Sequence, residues 1–231
     1  MLDVGSGTGA LSVALLAGVA DCTVVGIEPA KEYVLYSRKN ISDVHLRFQI
    51  GDALNLPFND DSFGAALSLL ILQELSDAPL ALREMRRVTR PGGSVVASQW
   101  DFANGMPMLA LFWETVLEVA DSDAARQSAE NCMVVDHPDE MALKHLWRRT
   151  GLVEVETERH EVDMTFASFE DYWAPFLSNA TPTSSYIGKT SVSQAAEIKN
   201  RLRNKLIGET ADRSFSLRAF AWAVKGRVQS Q

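Results

Sequence analysis

Asp3-Val4-Gly5-Ser6-Gly7-Thr8-Gly9 lies between a short apolar run and a longer one. Met1–Val4 has the character of a strand and Leu11–Val19 that of a helix, so the glycines sit at a strand-to-helix turn. Glycine there permits a tight turn and lets a ligand come close to the backbone, while the start of the helix presents unpaired N–H groups. Gly5, Gly7 and Ala10 also satisfy the GxGxxA form of the dinucleotide fingerprint. The turn by itself leaves the ligand open.

Outward from it, short apolar runs alternate with amphipathic stretches, the pattern of a mostly parallel sheet covered by helices. Thr23–Ile27 and Leu46–Ile50 read as strands, with Ala30–Lys39 as the helix between them. Phe63–Leu70 is apolar almost throughout, which predicts a strand buried on both faces. Ala78–Thr89 predicts a helix with Leu80, Leu82, Met85 and Val88 inward and Arg83, Glu84, Arg86 and Arg87 toward water. Pro91-Gly92-Gly93 is expected to stop it and turn the chain before a fifth strand over Ser94–Trp100.

The second half is predicted to hold an apolar helix over Met108–Ala120, whose stripe of Met108, Leu111, Phe112, Val116 and Val119 is first of all core. A further helix is expected over Pro138–Thr150, with Asp136 as N-cap and Gly151 as its stop. Strands are expected over Val153–Met164 and Phe215–Val228, antiparallel at one sheet edge. Between them the pattern predicts a helix over Ser168–Leu177, a loop over Ser178–Thr190 and a helix over Val192–Ile207, whose Arg201, Arg203 and Lys205 read as a solvated face.

The 231 residues are 46% hydrophobic and 23% charged, values that suit a globular domain with a real core and exclude disordered or collagen-like structure. With 22 Lys+Arg against 30 Asp+Glu, the formal charge is −8. That acidic balance argues against nucleic acid and against anionic membranes as partners. No apolar run approaches the ~18–20 residues that cross a bilayer. The opening MLDVGSGTG lacks the basic region and cleavage site of a signal peptide, and a cytoplasmic location is expected. Cys22 and Cys132 form neither a disulfide framework nor a metal-ligand spacing, so no metal centre is expected.

Three acids narrow the ligand. Asp3 lies just before the first glycine, where a carboxylate can meet a cationic amino group. Glu28 ends the second strand, where an acid can accept from both hydroxyls of a ribose. Asp52 follows the third strand and could accept from an exocyclic adenine amine. Acids at the carboxyl ends of neighbouring strands, with no basic residue among them, suit a cationic nucleoside better than a diphosphate.

The segments LDVGSGTG (2–9), GIEP (26–29), GDALNLPF (51–58), SFGAALSLLILQEL (62–75) and REMRRVTRPGG (83–93) together resemble class I S-adenosylmethionine-dependent methyltransferases. The likeness is greatest to the small-molecule group of ubiquinone and menaquinone biosynthesis methyltransferases. The resemblance implies an α/β fold, a Rossmann-like, doubly wound, seven-stranded and mostly parallel sheet with an antiparallel C-terminal edge pair, in one domain over residues 1–231. It implies S-adenosylmethionine as cofactor and a small-molecule methyl acceptor as partner. Asp3, Gly5, Ser6 and Gly7 would hold the methionine end, Glu28 the ribose, and Pro29, Asp52 and Ala53 the adenine. Ser68 and Leu69 would lie near the sulfonium. Phe63-Gly64 departs from the family's usual Phe-Asp, and Gln73-Glu74 stands where many quinone-pathway members carry His-His.

Methyl transfer from a sulfonium is an in-line displacement with a good leaving group, so catalysis is largely positioning and desolvation. An oxygen or nitrogen nucleophile that carries a proton calls for a base. Glu74, Asp101 and His137 are candidates, none singled out; His137, just before Pro138, reads first as a capping or surface residue. Family members usually carry covering helices before the first strand, whereas Met1 stands almost inside it. A missing front cover is therefore expected, with substrate-covering helices over 102–150 and 165–210. A homodimer is compatible with the sequence. Two other readings stand beside this one: an NAD-binding oxidoreductase, for which the chain offers no clear Tyr-Lys or His-Asp pair, and a truncated or degenerate module acting through a partner.

Overall fold

The computed structural model of the protein describes residues 1–102, 104–137, 139–178 and 181–229. In chain order its elements are β1 (Leu2–Val4), α1 (Ala10–Gly18), β2 (Val24–Glu28), α2 (Lys31–Asn40), β3 (Leu46–Ile50), β4 (Phe63–Leu69), α3 (Ala78–Val88) and β5 (Thr89–Trp100). There follow α4 (Pro107–Val119), α5 (Asp123–Met133), α6 (Glu140–Arg149), β6 (Leu152–Phe166), α7 (Phe169–Trp173), α8 (Pro182–Lys189), α9 (Val192–Ile207) and β7 (Phe215–Val228). Single turns of 3-10 helix occupy Leu72–Glu74 and Ala174–Leu177.

The strands form one seven-stranded sheet in the order β3-β2-β1-β4-β5-β7-β6. β1 pairs parallel with β2 and β4, β2 with β3, and β4 with β5. The strand order reverses at β1, which places the usual ligand crevice of such sheets beyond the carboxyl ends of β1 and its neighbours. Ion pairs join the last two strands between Glu154 and Arg227 (3.1 Å), Glu156 and Lys225 (3.2 Å), and Asp163 and Arg218 (3.5 Å). One partner's number rises as the other's falls, the signature of antiparallel neighbours. The Rossmann-like fold class expected from the sequence is the one adopted.

Two compact units can be distinguished. The first comprises Met1–Gln99, Asp139–His160 and Trp222–Gln231; the second comprises Trp100–Pro138 and Glu161–Ala221. In the first, Val24 and Ile27 sit an odd number of residues apart on β2 and so face opposite ways. Val24 packs with Val34, Leu46 and Phe48 beside α1 and α2. Ile27 joins Leu82 and Met85 of α3 and Leu143 and Trp147 of α6. Helices thus cover both faces, which is what doubly wound means physically. The second unit has its own aromatic core, where Phe112 stacks on Phe176 at 4.4 Å and the buried Tyr172 hydroxyl donates to the Met108 carbonyl (3.0 Å).

The differences from the sequence reading are local. The segment expected as a loop over Ser178–Thr190 contains α8, which starts on a reciprocal pair of bonds between Thr181 and Ser184 with Pro182 in its first turn. Residues 179 and 180 of that segment lie outside the described residues. Helix α5 was not predicted at all. Its inner face is made mostly of small residues, with Ala125 buried and Ala129, Cys132 and Met133 partly buried against the aromatic core, and Ser122 caps its start. Asp139, not Asp136, caps α6 by accepting from the Ala142 amide (3.0 Å), and the expected start at Pro138 lies outside the described residues. The Pro91-Gly92-Gly93 turn is an irregularity within β5 rather than a stop before it: Phe63 stands opposite Thr89, but Ala65 stands opposite Ser94. β4 is fully buried only at Ala66 and Ser68. Helix α6, inside the stretch 102–150, belongs to the core of the first unit.

Trp147 shows how closely that core is filled. Its ring is fully buried, its indole N–H donates to the Val95 carbonyl (3.4 Å), and a Cβ at Gly226 would lie 2.8 Å from it. Trp147→Ala is expected to cost about 3–5 kcal/mol, read as a lower urea midpoint with an unchanged slope.

Candidate functional site

The site is built where β1 ends. The amides of Gly5 and Ser6 both donate to the Ile27 carbonyl of β2 (2.8 and 3.0 Å), and the Gly9 amide donates to the Ser6 carbonyl (2.8 Å). Folding the loop back on β2 in this way requires left-handed backbone at Gly5, Gly7 and Gly9 (φ +72°, +52° and +94°). Their surroundings differ. A Cβ at Gly5 would meet Ile71 at 2.8 Å and one at Gly9 would meet Ile41 at 2.6 Å, whereas Gly7 has nothing within 4 Å. Gly7 therefore leaves its side of the loop open for a ligand to approach the backbone.

Glu28, at the end of β2, is buried and clamps the loop. One carboxylate oxygen accepts the Gly7 amide (3.0 Å) and the other the Ala30 amide (3.1 Å). Each oxygen keeps a second lone pair. Ser37 of α2 adds a bond from its hydroxyl to the Gly7 carbonyl (3.1 Å).

Asp3 is fully buried. One of its oxygens accepts from the Ser12 hydroxyl (2.6 Å), and the other has no partner. Burial pushes its carboxyl up from 3.8 to about 6; the bond from Ser12 opposes that shift and the nearby Glu28 charge adds to it. The Ser6, Ser68 and Gln73 side chains likewise each bury an oxygen without a hydrogen-bond partner. A buried polar atom left unpaired costs free energy until something supplies its bond. Two of these four atoms lie within β1 and β4, at Asp3 and Ser68, and two just beyond those strands, at Ser6 and Gln73; the groups among them are carboxylate, hydroxyl and amide, with no cation.

Strand β4 ends on strained backbone. Leu70 takes φ +60°, and its amide donates to the Ser98 carbonyl (2.8 Å). The Gln73 amide nitrogen then donates back to the Leu70 carbonyl (2.8 Å), which orients its unpaired oxygen away from that bond. Pro29 and Asp52 are exposed and Leu69 is 37% exposed, while Ala53 is buried. One oxygen of Asp52 accepts from the Leu54 amide (2.9 Å). Glu74 is exposed in the turn after β4. The other two candidate bases lie in the second unit. There Asp101 is buried and accepts from the Asn104 amide (3.0 Å), and His137 is partly buried. The sequence reading had not singled out Ser12, Ser37 or Leu70. Ser12 had one signal, as a lone hydroxyl in the apolar run Ala10–Gly18.

The methyltransferase-domain family matches residues 2–97. The chain is 30% identical over 164 residues to the demethylmenaquinone methyltransferase of Roseiflexus castenholzii, covering 67% of this chain and 68% of that one. The chain belongs to the class I S-adenosylmethionine-dependent methyltransferases. It is also 39% identical over 100 residues to the O-methyltransferase cnsE of Penicillium expansum, but spans only 36% of that protein's length. Phosphoethanolamine N-methyltransferase 2 of Haemonchus contortus, solved in complex with S-adenosyl-L-methionine, superposes with a TM-score of 0.58 at 15% identity, covering 99% of this chain and 48% of that one. That last likeness shows the fold alone.

The methyltransferase cofactor carries a cationic sulfonium and a cationic amino group. The unpaired buried oxygens, the acids and the open side of Gly7 fit those groups, and they fit a diphosphate poorly.

Asp3 provides a test in the free protein. Its raised pKa means that the folded chain holds its proton more tightly than the unfolded chain. Its contribution to stability is therefore fully present below about pH 4 and lost as pH rises through about 6, a difference on the order of 3 kcal/mol. In thermal melts without cofactor, Asp3→Asn should gain on the wild type above pH 6 and lose that advantage below pH 4.

Proposed function

We propose that the chain transfers a methyl group from S-adenosylmethionine to a small-molecule acceptor. The observation that carries this is the set of buried, unpaired oxygens of Asp3, Ser6 and Ser68 beside a glycine loop open at Gly7. When bound, the cofactor supplies an electrophilic methyl on a sulfonium, and its loss leaves a neutral thioether.

The chain's own residues bind and orient. Asp3, Gly5, Ser6 and Gly7 would hold the methionine end, with the free Asp3 oxygen accepting from the amino group. Glu28 would take the ribose hydroxyls on its remaining lone pairs while its bonds to Gly7 and Ala30 keep it fixed. Pro29, Asp52 and Ala53 would border the adenine, and Ser68 and Leu69 the sulfonium. Holding a charged donor against fixed dipoles in a partly dry site supplies orientation and replaces its water, the two terms on which such a displacement depends.

Glu74 is the proposed base where the nucleophile is an oxygen or nitrogen, because it stands in the same turn as Gln73 at the end of β4. The helices within 102–150 and 165–210, other than α6, are the proposed acceptor cover. Among the described residues, no helix is long and apolar enough to cross a membrane. Cys22 is a free thiol, which supports a reducing, cytoplasmic setting.

Calorimetric titration with S-adenosylmethionine tests the reading. Wild type should bind, and Glu28→Ala should bind about a hundredfold more weakly, since hydrogen bonds to a charged group contribute about 1.5–3 kcal/mol each. A folded wild type that shows no binding, or a Glu28→Ala variant that binds equally well, would sink the assignment. Release of S-adenosylhomocysteine across a panel of phenols, quinols, carboxylic acids and amines then identifies the acceptor.

A further inference from the structure

The segment REMRRVTRPGG has no part in the site described so far, yet two of its side chains reach a loop that does. Arg87 of α3 uses all of its guanidinium donors. Its Nε donates to Glu84 Oε1 (2.8 Å). One Nη donates to the Phe58 carbonyl (2.7 Å) and Asp60 Oδ1 (2.9 Å). The other donates to the Leu56 carbonyl (2.9 Å) and Glu84 Oε2 (2.7 Å). Five N–H groups thus find five acceptors, the full complement of the side chain. Glu84 in turn accepts the Leu56 amide (2.9 Å). Both backbone groups of Leu56 are therefore held by one ion pair, and the Leu56 side chain is buried beneath. The Asp61 amide adds a bond to the Arg87 carbonyl (3.1 Å).

This grip lies a few residues from Asp52. The Leu54 amide donates to Asp52 Oδ1 (2.9 Å), the Asn55 amide to the Asp52 carbonyl (3.1 Å), and the Phe58 amide to the Leu56 carbonyl (2.8 Å). The loop is a run of tight turns, tied to Glu28 at its start through the Gly51 amide (3.2 Å) and to α3 at its far end. With both ends fixed, the Asp52 carboxylate is held by backbone geometry although it stands in water.

We propose that Arg87 and Glu84 are positioning residues that fix the loop carrying Asp52 and Ala53 and so set the protein's discrimination for the adenine base. The proposal rests on the cofactor assignment made above. A cation alone does not meet the need: lysine is a point charge with three donors and cannot bridge two carbonyls and two carboxylates in one plane. A loosened loop keeps Asp52 in the sequence but not at its distance from a bound base, and a displacement of an ångström is enough to lose a directional bond.

The test compares two ligands: S-adenosylhomocysteine, and S-inosylhomocysteine, which carries a carbonyl oxygen in place of the exocyclic amine. Their Kd values are measured by calorimetry on wild type, Arg87→Lys and Glu84→Gln, with thermal melts alongside. Wild type should prefer the adenosyl ligand. In Arg87→Lys its Kd should rise about tenfold while the inosyl Kd moves little, so that the preference falls toward one. Glu84→Gln keeps an acceptor for Leu56 but loses the ion pair; it should shift the preference in the same direction and stands in if Arg87→Lys does not fold. Lower melting temperatures with an unchanged preference would overturn the positioning role and leave the cofactor assignment standing, as would a wild type with no preference. A wild type that binds neither ligand would overturn both.

Discussion

The carbonyl of Ile27 accepts two amides, those of Gly5 and Ser6, and much of the first unit follows from that shared acceptor. It draws the chain leaving β1 sideways onto β2, which only residues tolerant of left-handed backbone allow. It thereby turns the Gly7 amide toward Glu28 and brings the start of α1 round so that Ser12 meets Asp3. β1 has only three residues, but it is paired on both sides and fully buried, so the loop is anchored to the most protected strand of the sheet.

The electrostatics of this region are one-sided. Asp3 and Glu28 are buried close enough to influence one another, and they are held by hydroxyl and amide donors rather than by arginine or lysine. Buried carboxylates without a counter-charge are unfavourable in isolation. The arrangement makes sense if the balancing charge arrives with the ligand, so that the apo protein is tuned for binding at some expense of its own stability.

Much of this could be seen in the chain itself. β3, α9 and β7 lie where the hydrophobic period placed them, because their apolar faces are regular and their ends are marked. Asp3, Glu28 and the glycines were legible because they fall where strands stop. What escaped notice has a common physical cause. α5 meets the aromatic core mainly through small side chains, Ala125, Ala129 and Cys132, and α8 through the adjacent Tyr186 and Ile187, so a search for a stripe of large apolar residues passes over both, and their clearest marks are the caps at Ser122 and Thr181. The positive φ of Leu70 and the lengthened β5 arise from strand pairing across distant segments, which no local pattern encodes. The pull of Arg87 on Leu56 and Phe58 is likewise non-local; in sequence it looks like an ordinary charged helix face.

The ladder of opposite charges between β6 and β7 has a bearing on solubility. Each of its exposed ion pairs is worth little by itself. β6, however, is the last strand of the sheet, and its Glu154, Glu156 and Asp163 side chains are each well over half exposed. Charged side chains along an outermost strand are one of the ways in which sheets disfavour pairing with a further strand.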